Sequence, residues 1–192
     1  TELDSFFKGS VMHFVLQNIL DKDKFGKEKL LSEDETILKK VIVDYLSEYL
    51  EKYKLDMTSF TEIYKWQYKY LMTTLLLAAL RLKKQLKECR FEPLFEEFEL
   101  TDKGKAGSFV LNRDNDEKIR ISGFVDRVDI STETEEQRSF KIIDYKMGGK
   151  NFDIENIKDG LNMQMLIYMI ALKEKAEAGK ISELYKSIPY GI

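Results

Sequence analysis

Residues 123–146 read GFVDRVDI, STETEEQRS, FKIIDYK, and this stretch decides the fold. The outer segments are apolar and rich in β-branched and aromatic side chains, whereas the middle nine residues are polar or charged. That pattern predicts two strands joined by a solvated hairpin loop. Three ionisable residues interrupt the apolar runs: Asp126 in the first strand, Asp144 and Lys146 in the second. Strand side chains alternate faces, so Asp144 and Lys146 project to the same side, and pairing of the strands brings Asp126 beside them. Two converging carboxylates suit a hard cation such as Mg²⁺ or Mn²⁺. A lysine alongside can hold a water or neutralise phosphate charge. A metal-dependent phosphodiester-cleaving site is expected here. On its own, D-x-K also fits an edge strand with surface charges, and Asp129 competes with Asp126 for the ligand role.

Outward from the hairpin, the pattern divides the chain in two. Residues 94–100, 108–112, 119–130 and 140–145 read as strands, separated by turn signals such as Asp102-Lys103-Gly104. Residues 1–90 read as helices. Asp4 or Ser5 caps a first helix to about Leu20, with Phe7, Val11, Phe14 and Val15 at helical spacing. Residues 22–29 form a charged connector containing Gly26. Ser32, with Glu35 three residues on, forms a capping box for a helix to about Tyr53. A long helix is expected over 61–90, because proline first occurs at position 93. A final helix spans about 154–178.

Composition bounds the function. The chain has 192 residues, 43% of them apolar, and carries a net charge of −3, which fits one sizeable domain. The balanced charge means that any nucleic-acid contact must come from local patches. The one cysteine, Cys89, allows no internal disulfide and suits a reducing compartment. The most apolar run, residues 71–82, is too short for a bilayer, so a cytoplasmic protein without a membrane partner is expected. The start at Thr1 and the strand-like end at Ile188 suggest a fragment of something longer.

Other residues have possible chemistry. Glu96, Glu97 and Glu99 lie in the first strand, where alternation puts Glu97 and Glu99 on one face; one of them could complete a metal site. His13 is the only histidine and can supply a nitrogen ligand or be an ordinary helix residue. Gln164 and Tyr168, four apart on one helix face, can bond a phosphate or orient a carboxylate. Arg127 and Lys150 are phosphate candidates by their nearness in sequence to the site. Arg81, Lys83, Lys84, Lys87 and Arg90 read as a solvated helix end. Trp66, Tyr64, Tyr68 and Tyr70 could stack on bases, but their helical spacing assigns most of them to the core.

Taken in order, these residues resemble the PD-(D/E)xK nuclease superfamily in its RecB-like branch. The pattern G-x-x-x-H matches Gly9-Ser10-Val11-Met12-His13. G-x-x-D-R-x-D matches Gly123-Phe124-Val125-Asp126-Arg127-Val128-Asp129. D-Y-K matches Asp144-Tyr145-Lys146, and Q-x-x-x-Y matches Gln164 with Tyr168. Phe91-Glu92-Pro93 with Glu97, and the run from Gly160 to Leu166, resemble the C-terminal nuclease region of AddB-type subunits of bacterial helicase–nucleases.

The resemblance implies an α/β, restriction-endonuclease-like core. A central mixed sheet would be flanked by helices, with a further strand after Pro189. Residues 1–192 would form a single nuclease domain, with 1–90 carrying the histidine motif and 91–192 the sheet and the Gln/Tyr helix. His13, Asp126 and Asp144 would be metal ligands for Mg²⁺ or Mn²⁺, Lys146 the catalytic lysine, and Gln164 and Tyr168 would shape the site and contact DNA. Glu97 matches less securely. The implied function is a DNA nuclease, of exonuclease type, in double-strand break processing with an AddA-like helicase partner. The alternative is a catalytically silent DNA-binding or subunit-interaction module. Relatives of this type often carry an iron–sulfur cluster held by one cysteine before the histidine helix and three near the C-terminus. Cys89 fits neither place, so either the cluster cysteines lie outside this stretch or this relative lacks them.

Overall fold

The computed structural model describes residues 4–54, 62–112, 117–131, 138–146, 163–185 and 187–189. The chain divides into two compact units, Thr1–Cys89 with Tyr145–Gly148, and Arg90–Asp144 with Gly149–Ile192. The polypeptide thus passes from one to the other within the D-Y-K motif.

The first unit is helical: α1 (Ser5–Leu20), α2 (Lys27–Ser32), α3 (Glu35–Lys52) and α4 (Glu62–Glu88). Asp4 caps α1, its Oδ1 accepting from the Phe7 amide at 2.7 Å. Val11, Val15 and Ile19 of α1, Leu38, Ile42 and Leu46 of α3, and Leu71, Leu75 and Ala79 of α4 recur every four residues and are all buried. Each helix therefore presents one apolar stripe to a common core.

Two expectations shift. The connector read over 22–29 contains the start of α2, which follows Gly26 at φ +85°, a left-handed conformation that favours glycine. Leu30 anchors this short helix in the core. Consequently Ser32 ends α2, its hydroxyl donating to the Lys29 carbonyl, and Asp34 rather than Ser32 caps α3 by accepting from the Ile37 amide at 2.9 Å. Asp34→Ala removes the partner of that amide and is expected to cost about 1 kcal/mol, measurable by urea denaturation. Asp34→Asn should recover most of the loss.

The second unit contains β1 (Phe91–Leu100), β2 (Phe109–Asn112), β3 (Lys118–Ile121), β4 (Gly123–Ser131), β5 (Ser139–Ile143), α5 (Gln164–Glu177), a 3₁₀ turn (Ser182–Leu184) and β6 (Ile188–Pro189). The main sheet has the order β1-β4-β5-β6. It is mixed, since β1, β4 and β5 run antiparallel and β6 lies parallel to β5. The single strand expected over 119–130 is two strands broken at Ser122, and β3 pairs with β2 in a separate sheet. Pro93 lies inside β1 rather than before it. An edge strand tolerates a residue without an N–H, and the register shifts between Pro93 and Phe95. Leu100, Val125, Val128 and Phe140 share a core with Ala171, Leu172 and Ala176 of α5.

The final helix is described from Gln164, and residues 154–162 of its expected span lie outside the described residues. Trp66 and Tyr70 are not core residues as expected. They are 67% and 55% exposed and stack on each other on the outer side of α4, whereas Tyr68 packs against the helical core.

Candidate active site

The hairpin sets the positions of its carboxylates. β4 and β5 pair with Arg127 opposite Ile143, Val128 opposite Ile142 and Asp129 opposite Lys141. One further step in that register puts Asp126 opposite Asp144. On the other side of β4, Glu96 pairs with Arg127 and Phe98 with Val125, so Glu97 falls opposite Asp126. Continued in this way, the register would place Glu97, Asp126 and Asp144 in one row, with Asp144 one residue beyond the end of β5. Like charges directly opposite each other destabilise a sheet, so this row is a poor choice for stability and a good one for a cation.

Glu97 departs from the alternation expected of β1. Its φ is +52°, a left-handed conformation that is uncommon outside glycine and often concentrated at functional sites. The irregularity lets Phe95 and Phe98, three apart, bring their rings to 4.9 Å.

Asp126 and Asp144 are partly exposed, and Lys146 is exposed. Asp129, the competitor, is buried and takes two hydrogen bonds from Arg127, Nε to Oδ1 at 2.7 Å and Nη2 to Oδ2 at 2.9 Å. Of the two, Asp126 is the carboxylate left partly exposed. The same geometry corrects the reading of Arg127 as a phosphate contact: its side chain is 0% exposed and committed to Asp129, so it cannot reach a DNA backbone. Lys150 lies outside the described residues.

His13 lies on α1, and its Nε2 stands 2.7 Å from the backbone carbonyl oxygen of Tyr145. A carbonyl only accepts, so Nε2–H is the donor, and in the neutral ring Nδ1 carries the lone pair. Metal-binding histidines commonly fix their ring in this way, one nitrogen donating to a carbonyl while the other ligates. Tyr145 is the chain neighbour of both Asp144 and Lys146, and its ring meets the His13 ring edge-on at 5.9 Å.

Gln164 and Tyr168 share a face of α5 as expected, the Gln164 amide donating to the Tyr168 hydroxyl at 3.4 Å. Tyr168 also reaches Gly123. A Cβ at Gly123 would overlap the Tyr168 hydroxyl and stand 3.1 Å from Cζ. This contact explains the glycine that opens G-x-x-D. By alternation Asp126 projects from the opposite face of β4, and Tyr168 packs against the start of that strand. Gly123→Ala is expected to displace Tyr168 and lower activity about tenfold, while Gly123→Ala/Tyr168→Phe, which removes the overlapping hydroxyl, recovers part of it. A steady-state cleavage assay checks both.

The donor set fits a hard divalent cation. Mg²⁺ is usually held by one or two carboxylates, with waters and substrate phosphates completing its shell, and the Asp126–Asp144 pair supplies that number. Among the described residues no three His, Cys, Asp or Glu side chains stand grouped closely enough to enclose an ion.

The model of the PD-(D/E)XK nuclease superfamily matches residues 1–190, through both units. The chain belongs to the PD-(D/E)XK nuclease superfamily. Its mixed sheet and helices are those of the restriction-endonuclease-like α/β fold. Three similar proteins each carry the name of the B-type subunit of an ATP-dependent helicase/deoxyribonuclease. The one from Clostridioides difficile is 31% identical over 168 residues, 84% of this chain and 14% of the relative. The one from Caldanaerobacter subterraneus subsp. tengcongensis is 30% identical over 175 residues, 90% of this chain and 15% of the relative. That from Acetivibrio thermocellus is 37% identical over 95 residues, 50% of this chain and 8% of the relative. The chain thus spans 8 to 15% of the length of these three relatives.

Proposed function

We propose that this chain is a Mg²⁺- or Mn²⁺-dependent DNA nuclease domain, of exonuclease type. It would act within a helicase–nuclease complex that processes double-strand breaks in the bacterial cytoplasm. The observation that carries this reading is the β4–β5 register, whose last pair Arg127–Ile143 adjoins Asp126 and Asp144, in a chain matched through both units by a nuclease family. The names of the relatives support the deoxyribonuclease activity and the helicase partner. Among the described residues no helix is long and apolar enough to cross a membrane.

Asp126 and Asp144 would hold the ion, with His13 and Glu97 as the further candidate donors. A bound divalent ion makes water more acidic and offsets the charge of the scissile phosphate. Lys146 orients the attacking water and stabilises the negative charge that grows on the phosphate oxygens in the transition state. The His13 bond to the Tyr145 carbonyl fixes the backbone between Asp144 and Lys146. Gln164 and Tyr168 shape the site by bracing the start of β4.

Calorimetry with Mn²⁺ tests the ligand assignment. Asp126→Ala is expected to weaken Mn²⁺ binding at least about tenfold, the loss of roughly 1.4 kcal/mol. Cleavage of single-stranded DNA should require Mg²⁺ or Mn²⁺. DNA binding without metal-dependent cleavage would favour the silent binding module, and absence of Mn²⁺ binding by the wild type would sink the metal site.

A further inference from the structure

The β4–β5 connection is long, with seven residues between Ser131 and Ser139. Short hairpin turns fix strand register by their geometry, but a loop of this length and polarity does not. Register matters here, because a slip of one residue turns every side chain of a strand to the opposite face and would separate Asp126 from Asp144.

The face of β4 opposite Asp126 holds a feature that can set the register. Arg127 and Asp129 are buried there and joined by two hydrogen bonds. Lys141, directly across on β5, places its Nζ 3.6 Å from Asp129 Oδ2. The same ammonium stands 4.6 Å from the ring centroid of Phe91, the first residue of β1. At the loop end, the Ser139 amide donates to the Ser131 hydroxyl at 2.9 Å. The network thus spans β1, β4 and β5, the three strands that carry Glu97, Asp126 and the approach to Asp144. In a slipped register Asp129 would lose Lys141 and face an apolar residue, Phe140 or Ile142, leaving the lysine's charge unmatched in a largely buried setting. A polar group with one well-placed partner is an effective way to specify register.

We propose that Arg127, Asp129 and Lys141 are positioning residues: together they lock the β4–β5 register that aligns Asp126 with Asp144, and so set the affinity of the site for its metal ion. This rests on the assignment of Asp126 and Asp144 as metal ligands. Lys141→Met keeps an apolar stem of similar length near Phe91 and leaves the Arg127–Asp129 pair balanced, and Asp129→Asn removes the shared charge.

The test measures the Mn²⁺ concentration giving half-maximal cleavage in the 192-residue chain, together with backbone NMR contacts between Val128 and Ile142. In both variants the half-saturating Mn²⁺ is expected to rise at least tenfold and the Val128–Ile142 contact to weaken, with Lys141→Arg restoring both. A merely stabilising network would lower the amount of folded enzyme without moving the half-saturation point. A folded Lys141→Met variant with unchanged half-saturation overturns the proposal. Should the wild type neither bind Mn²⁺ nor cleave, the nuclease reading fails, and the NMR contact alone decides the register: its loss in Lys141→Met supports the lock, and its retention refutes it.

Discussion

Asp144→Asn is expected to lower the rate of DNA cleavage about a thousandfold without unfolding the protein. The substitution keeps the size of the side chain and removes its negative charge, one residue beyond the Arg127–Ile143 pair of β4 and β5. Metal-ion stabilisation of the transition state is worth several kcal/mol, and about 4 kcal/mol is a thousandfold in rate. Lys146→Ala should cost a similar factor by a different route. Lys146 is exposed, so its removal is expected to leave the fold intact and to act on the chemical step. The pair is separated by Mn²⁺ binding, weakened in Asp144→Asn and retained in Lys146→Ala. Either variant cleaving at the wild-type rate, with an unchanged circular dichroism spectrum as control, would remove that residue from the mechanism.

Asp129→Ala is the largest expected effect on stability. It strips the carboxylate from between Arg127, 0% exposed, and Lys141, leaving two cations in a space built for three charges. Breaking a buried ion pair from one side costs about 3–5 kcal/mol, a large part of the roughly 5–15 kcal/mol that holds a domain folded. In a chain of this length that corresponds to a fall in Tm of roughly 10 °C. The paired replacement Arg127→Met/Asp129→Leu leaves no uncompensated charge from that pair and should recover much of the loss. A Tm for Asp129→Ala within about 2 °C of wild type would mean that the pair contributes little.

The hairpin was legible in the sequence because period-2 alternation survives in it and a polar run separates its halves. The acidic row was partly legible. Asp126 and Asp144 stood out as charges in apolar strands, but their alignment is a matter of register, and a long loop carries no register information. Glu97 was visible as one of three glutamates, yet its left-handed backbone has no signature in a run of ordinary residues. Arg127 misled for a general reason. A charged residue beside a catalytic carboxylate reads as a substrate contact, and only the side chain two residues on, Asp129, reveals that it faces inward. The signal existed in the sequence, since Arg127 and Asp129 share a strand face and have opposite charge. Trp66 and Tyr70 misled in the other direction: helical spacing identifies a stripe but not which stripe of a helix is covered, and α4 buries the one through Leu71 and Leu75.

The orientation of His13 divides one ring into two separable functions. Because Nε2–H is spent on the Tyr145 carbonyl, the proposed ligation would use Nδ1, and the two nitrogens can be deleted one at a time. Glutamine places an amide N–H near the position of Nε2, so His13→Gln keeps the backbone anchor and loses the nitrogen donor. Asparagine places an amide oxygen near Nδ1, so His13→Asn keeps a donor for a hard cation and loses the anchor. On the proposed reading the imidazole would be a backbone anchor and a ligand in one side chain, and neither single replacement would do both at once.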